Sequence, residues 1–285
     1  MKKILAGVLC AALLCLSFGM LAHGQETKRK FVVLGDSIAE GNSAILPCNR
    51  YADRVARANG YELRNFGKGG DTSWSLLQKV REDEPIRQAV READVIAVSI
   101  GGNDFYPSMY LVLNGLLGEL GWVKPRAESL RKNFAGAIAE IRRLNPGAVL
   151  VVQTLYNPVF AFMPPSAHEL YGAIVREINA AILGYLDKHP GAYLVADVNA
   201  AFAQRYGMVF ADMVHPSPAG HAVIAAVLLD TINGTNELRP CPLDAVIGVP
   251  VRLSAPALAL ADRGLAGTLQ TVHDRMPRVW EYITR

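Results

Sequence analysis

An α/β fold, with a five-stranded parallel sheet sandwiched between two layers of helices, follows from three features of this sequence. Short, continuous apolar runs recur along the chain, stretches with helical periodicity separate them, and Gly, Asn or Pro marks most of the junctions. Strands buried on both faces read as unbroken apolar runs rather than alternating ones. Parallel neighbours also need a crossover between them, usually a helix.

The elements follow in order. Phe31-Val32-Val33-Leu34 reads as a buried strand closed by Gly35. Residues 50–59 are expected to be helical, and residues 61–66 form a second short strand. Helical patterns at 73–80 and 84–92 lead to the β-branched run 95–100, which ends at Gly101-Gly102. Residues 126–144 have helical periodicity and stop at Asn145-Pro146-Gly147, a strong helix-ending signal. A buried strand at 148–154, a helix at 166–188, a strand at 192–196 and a helix at 218–232 complete the pattern. Five strands fit one α/β/α sandwich, and no repeat or low-complexity linker divides residues 30–233.

The ends of the chain differ from this core. Lys2 and Lys3 precede an uncharged apolar run, which ends in Ala22-His23-Gly24. A basic start, an apolar segment and small residues at −3 and −1 predict a signal peptide over residues 1–24. An uncleaved anchor is the competing reading, because roughly 18 apolar residues approach spanning length. Cys10 and Cys15 each follow Leu, where lipoprotein processing requires a small residue, which argues against a lipid anchor. The expected organisation is therefore one folded domain over 25–233 and an extension over 234–285, rich in Pro, Ala and Leu and packed on it. An exported, extracytoplasmic protein with no membrane span in its mature form is implied.

About half the residues are apolar, and the formal charge is only +3, two units of which lie in Lys2 and Lys3. That balance suits a globular domain with a sizeable core and gives no basic field for a nucleic-acid partner. Cys48 and Cys241 remain after residue 24; in an exported protein they suggest one disulfide, with two free thiols as the alternative.

In an open parallel sheet, ligands bind outside the carboxyl ends of the strands. The first strand is followed by Gly35-Asp36-Ser37, the second by Gly67-Lys68-Gly69-Gly70-Asp71-Thr72, and the third by Gly101-Gly102-Asn103-Asp104. All three loops open on one edge. A serine after a strand is most often a helix cap. Ser37 becomes a candidate nucleophile when a base and an orienting carboxylate accompany it, and Asp212-Met213-Val214-His215 offers both. The oxyanion of acyl transfer needs hydrogen-bond donors, for which the Ser37 and Gly70 N–H groups and the Asn103 side-chain amide are candidates. Taken singly, Gly70 can be a turn glycine, Asn103 a turn-bonded residue, and Asp212 and His215 a helix-end pair.

Taken together, Gly35-Asp36-Ser37, Asn65-x4-Gly70-Asp71-Thr72, Gly101-x-Asn103-Asp104 and Asp212-x-x-His215-Pro216 resemble the SGNH (GDSL) hydrolase family, in its order and over about residues 30–233. The resemblance implies a flavodoxin-like three-layer fold and a serine esterase or lipase that needs no metal or other cofactor. It implies Ser37 as nucleophile, His215 as base, Asp212 as its partner, and Ser37, Gly70 and Asn103 as the oxyanion hole. The implied partner is an ester: a lipid, a small acyl ester or an acylated glycan. The apolar stretches 105–122 and 156–165 could line an acyl groove or pack in the core; a groove would favour aliphatic acyl esters over acetylated sugars.

Three other readings compete. A glycan O-deacetylase would share the machinery. A dinuclear metal phosphoesterase could use Asp36, Asn103, Asp104, Asp212 and His215, but a second carboxylate near Asp36 and clustered histidines are missing from the pattern. A non-catalytic binding module would be expected to have lost triad residues. The α/β-hydrolase elbow is not present, since Gly41-Asn42-Ser43-Ala44-Ile45 lacks its second glycine.

Overall fold

The computed structural model describes residues 27–105, 122–158, 165–202, 214–235, 237–239 and 241. The expected signal peptide, Asp212 and the extension beyond residue 241 lie outside them. Five parallel strands form one sheet: β1 (Lys30–Gly35), β2 (Glu62–Asn65), β3 (Val95–Ser99), β4 (Val149–Gln153) and β5 (Leu194–Ala196), in the order β2-β1-β3-β4-β5. The helices are α1 (Ser37–Glu40), α2 (Tyr51–Asn59), α3 (Ser73–Glu82), α4 (Glu84–Glu92), α5 (Val123–Leu144), α6 (Pro165–Lys188), α7 (Val198–Phe202) and α8 (Pro218–Asn233).

The sheet's alternation explains why its strands are apolar throughout. Val32 and Leu34 of β1 point into one layer with α3, α4, α5 and α6, whereas Phe31 and Val33 point into the other with α2, α7 and α8. Side chains at successive strand positions face opposite sides, so a strand covered twice has no polar face to offer. Both layers are closed by fully buried residues, among them Ile138 and Ile141 of α5 and Ile224 and Leu228 of α8.

The α/β/α sandwich and all five expected strands are present. Two elements start two or more residues away from the expected position, while the other starts move by one at most. α5 begins at Val123 rather than at 126, because Pro125 sits in the first turn, where a missing N–H disturbs no helical bond. β5 is shorter than expected and spans three residues. α1 and α7, of four and five residues, are too short to leave a periodic signature in sequence. Among the described residues, no helix is long and apolar enough to cross a membrane.

Candidate active site

The strand order changes direction between β1 and β3, and there the loops diverge to open a crevice. Gly35 ends β1 opposite Ser99 of β3. Its φ is +141°, and a Cβ on it would lie 1.9 Å from the Ser99 carbonyl oxygen. No side chain fits, so Gly35 is what lets the chain turn so tightly against β3. Asp36 then caps α1: its Oδ1 accepts from Ile38 N at 3.0 Å. Ser37 opens that helix, 9% exposed, at the bottom of the crevice.

The loop after β2 is stitched to α1 from both sides. Asn65 Nδ2 donates to Ala39 O at 2.8 Å, and Gly69 N donates to Glu40 Oε2 at 2.8 Å. Lys68 N donates to Gly35 O at 3.0 Å. A Cβ on Gly69 would lie 3.9 Å from that of Ser37, which places the loop beside the serine. Gly70 is exposed at φ +85°, and a Cβ there would meet nothing within 4 Å. Its left-handed backbone, rather than crowding, is the local reason for glycine.

The loop after β3 is fixed to that second loop. Asn103 Nδ2 donates to Asp71 O at 2.9 Å, so its amide is held by the neighbouring loop and not by its own turn. An amide nitrogen carries two hydrogens, so one donor is committed here and a second remains available. Next to it, the Asp104 carboxylate accepts from both Ser73 N and Ser73 Oγ at the start of α3. Asp71 forms an ion pair with Lys79.

Electrostatically the floor is marked by buried carboxyls. Burial pushes the Asp36 carboxyl up to about 7, against the bonds from Ile38 and Ala39; the nearby Asp104 and Asp71 push the same way. Burial raises Asp104 as well. Among the described residues, no three His, Cys, Asp or Glu side chains gather in a way that could hold a metal ion.

Above this floor lies a cavity of about 80 Å³ with a mainly apolar lining. Ser37, Gly102 and Asn103 meet Leu155, Tyr156 and Pro158 of the loop after β4. Tyr171, Ile174, Val175 and Ile178 of α6 form the opposite wall. Asn179 clamps that wall to the loop: it accepts from Leu155 N at 2.8 Å and donates to Leu155 O at 2.9 Å. Val214 also lines the cavity, and Tyr156 Oη donates to its carbonyl at 2.7 Å. His215, half-buried, is the next residue, just ahead of α8.

The structure thus brings Ser37 and Asn103 into one crevice, sets the Gly70 loop beside it, and lines it with Val214, the residue before His215. Tyr156 and Pro158 line the crevice as the groove reading expected, whereas Phe105 is fully buried and packs on Trp122 within the core. Residues 106–121 and 159–164 lie outside the described residues. The α6 wall was not foreseen; its signal is the spacing of Tyr171, Ile174, Val175 and Ile178, one helical stripe that also suits an ordinary core.

The GDSL-like lipase/acylhydrolase family profile matches residues 33–223. An uncharacterized protein, YpmR of Bacillus subtilis (strain 168), is 29% identical over 219 residues, 72% of this chain and 82% of the relative. The fold is similar to that of the lipase Lip_vut3 from a goat rumen metagenome, with a TM-score of 0.62 and 24% identity over 74% of this chain and all of the other. Phospholipase A1 from Streptomyces albidoflavus NA297 is similar at a TM-score of 0.55 and 18% identity, over 72% of this chain and all of the other. An extracellular lipase from Streptomyces rimosus gives 0.56 and 18%, over 71% and 99% of the two chains.

Proposed function

The chain belongs to the GDSL-like lipase/acylhydrolase family and is a carboxylic-ester hydrolase, and from that premise we propose that it is an exported serine esterase acting on aliphatic acyl esters. Ser37 is the nucleophile, His215 its base and Asp212 the carboxylate that orients the imidazole. The observation that carries this reading is the crevice itself: Ser37 lies at its floor, and Asn103 lines it with an amide anchored to Asp71 O.

The chemistry follows from those positions. His215 takes the Ser37 proton as the hydroxyl attacks the ester carbonyl. The oxyanion then forms among the Ser37 N–H, the Gly70 N–H and the free donor of Asn103. Collapse expels the alcohol, and water activated by His215 hydrolyses the acyl-enzyme. No cofactor enters these steps. The α6 wall favours an aliphatic acyl chain over an acetylated glycan, since it offers apolar side chains where a sugar would need hydrogen bonds.

Export rests on two supports, the basic-then-apolar start over residues 1–24 and the approach of Cys48 to Cys241, whose Cα atoms are 6.0 Å apart, a separation that suits a disulfide. The catalytic domain is placed at 25–233, with 234–285 as an extension that the disulfide ties down through Cys241. The test is hydrolysis of p-nitrophenyl esters from acetate to palmitate by residues 25–285, with Ser37→Ala alongside. The parent should be active and the variant lower by several decades; equal activity in both removes Ser37 as nucleophile.

A further inference from the structure

One buried histidine takes no part in the chemistry above, yet it joins the two halves of the site. His221, in the first turn of α8, has no exposed surface. Its ring stacks on Tyr51 of α2, with centroids 6.1 Å apart and planes 19° from parallel. Nε2 lies 2.8 Å from the Asn42 carbonyl oxygen. A carbonyl only accepts, so Nε2 must carry the proton. Burial holds the ring's pKa down to about 4, and the nearby Arg54, His215 and Arg50 also disfavour a charge on it. The ring is therefore neutral at ordinary pH and donates from Nε2.

The acceptor's position gives this bond its meaning. Asn42 N donates to Ser37 O at 3.0 Å, so one residue, through the two peptide groups that flank its Cα, links the His221 ring to the backbone of the nucleophile. On the other side, His221 N donates to Ser217 O at 2.8 Å, and Ser217 Oγ accepts from Gly220 N at 3.1 Å, which fixes the start of α8 on its cap Ser217, two residues after His215. The loop leaving α1 does not hold its shape cheaply: Ser43 and Ile45 both lie at positive φ, 64° and 70°. Non-glycine residues there cost roughly 1–2 kcal/mol each, so the loop needs an outside anchor.

We propose that His221 is a positioning residue, a strut that sets the register between the Ser37 loop and the His215 segment through the backbone of Asn42. The inference rests on the reading of Ser37 and His215 as nucleophile and base.

Three variants separate this role from packing. His221→Phe keeps a ring against Tyr51 without a donor. His221→Gln places an amide nitrogen near the Nε2 position, and His221→Asn is one methylene too short to reach Asn42. For each, kcat and KM on p-nitrophenyl butyrate and the rate of Ser37 labelling by a p-nitrophenyl phosphonate are measured, with a urea melt to establish folding. The phenylalanine and asparagine variants should lose about 10- to 100-fold in kcat and equally in labelling rate, as expected for a misplacement on the ångström scale. KM should hold, because the α6 wall lies on the other layer, and glutamine should restore most of the loss. If the phenylalanine variant does not fold, the glutamine–asparagine pair decides by the same comparison. Rates within twofold of the parent in the folded variants, or equal losses in glutamine and asparagine, overturn the strut. Ser37→Ala is read alongside: activity equal to the parent's, with no phosphonate on the Ser37 peptide, overturns the nucleophile reading instead.

Discussion

Two buried groups make opposing contributions to the pH dependence of stability. Asp36 has its carboxyl pushed from an ordinary 3.8 to about 7, whereas His221 has its ring held from 6.5 down to about 4. Between pH 4 and 6.5 folded Asp36 holds a proton that the unfolded chain has released, so raising the pH destabilises the fold. Over the same window unfolded His221 holds a proton that the folded ring refuses, so raising the pH stabilises it. Each pH unit carries 1.36 kcal/mol per proton, so each contribution changes by about 3 kcal/mol across the window, with opposite sign. In the parent they cancel. Glu140, held at about 2 chiefly by Arg143 and Arg87, adds a rise with pH in the acid range that parent and variants share.

Removing one member exposes the other. Urea unfolding at pH 4.0, 5.0, 6.0 and 6.5 would be compared for the parent, Asp36→Asn and His221→Gln. Relative to the parent, Asp36→Asn should gain about 3 kcal/mol from pH 4 to 6.5, and His221→Gln should lose about 3 kcal/mol. The differences remove every background group common to the three proteins. Variant curves running parallel to the parent's would refute the reasoning, since neither group would then titrate differently on folding.

Three further outcomes follow from the site. Asn103→Ala should lower kcat by roughly 10²–10³ on p-nitrophenyl butyrate with little change in KM, the usual cost of one oxyanion donor; an unchanged kcat would remove Asn103 from that role. Val175→Phe fills the crevice from the α6 side, so kcat/KM for decanoate relative to acetate should fall about tenfold or more, while an unchanged ratio would place the acyl chain elsewhere. Replacing Cys48 and Cys241 together by Ser opens a link across 193 residues of chain and should lower stability in urea by about 2–4 kcal/mol, whereas reactive thiols in the native parent would show that no bond exists there.

The fold was legible wherever a signal is local. The run at 95–100 announced β3 because both faces of that strand are covered, and Asn145-Pro146-Gly147 announced the end of α5 because the backbone cannot continue as helix there. The three loops on one sheet edge were legible too, since parallel connectivity leaves no other place for them. What stayed hidden depends on partners far along the chain. Gly35 is required by a carbonyl 64 residues away, at Ser99, and no feature of its own neighbourhood says so. The α6 stripe is ambiguous for a different reason: the residues that fill a core and those that wall a crevice are chemically the same. Only the space in front of Tyr171 and Ile178 distinguishes them. His221 read as an ordinary helical residue, because its meaning lies in Asn42, 179 residues away.

These long-range bonds share a pattern that bears on how the site is held. The oxyanion candidates are held between loops as well as by turns within them, such as Asp71 N on Lys68 O and Asp104 N on Gly101 O. Asn103 is held by Asp71 of the second loop, the second loop by Ala39 and Glu40 of α1, and the third loop again by Ser73 through Asp104. Each such bond contributes only about 1 kcal/mol to stability, yet every one spans two different strand ends. A loop braced on itself can shift as a body without breaking a bond; a loop braced on its neighbour cannot. The side chains doing the bracing, Glu40, Asn65 and Asp104, are polar residues whose carboxylates and amide are spent on other loops. They make the spacing between Ser37 and its donors a property of the sheet edge as a whole, and that is the preorganisation a developing oxyanion requires.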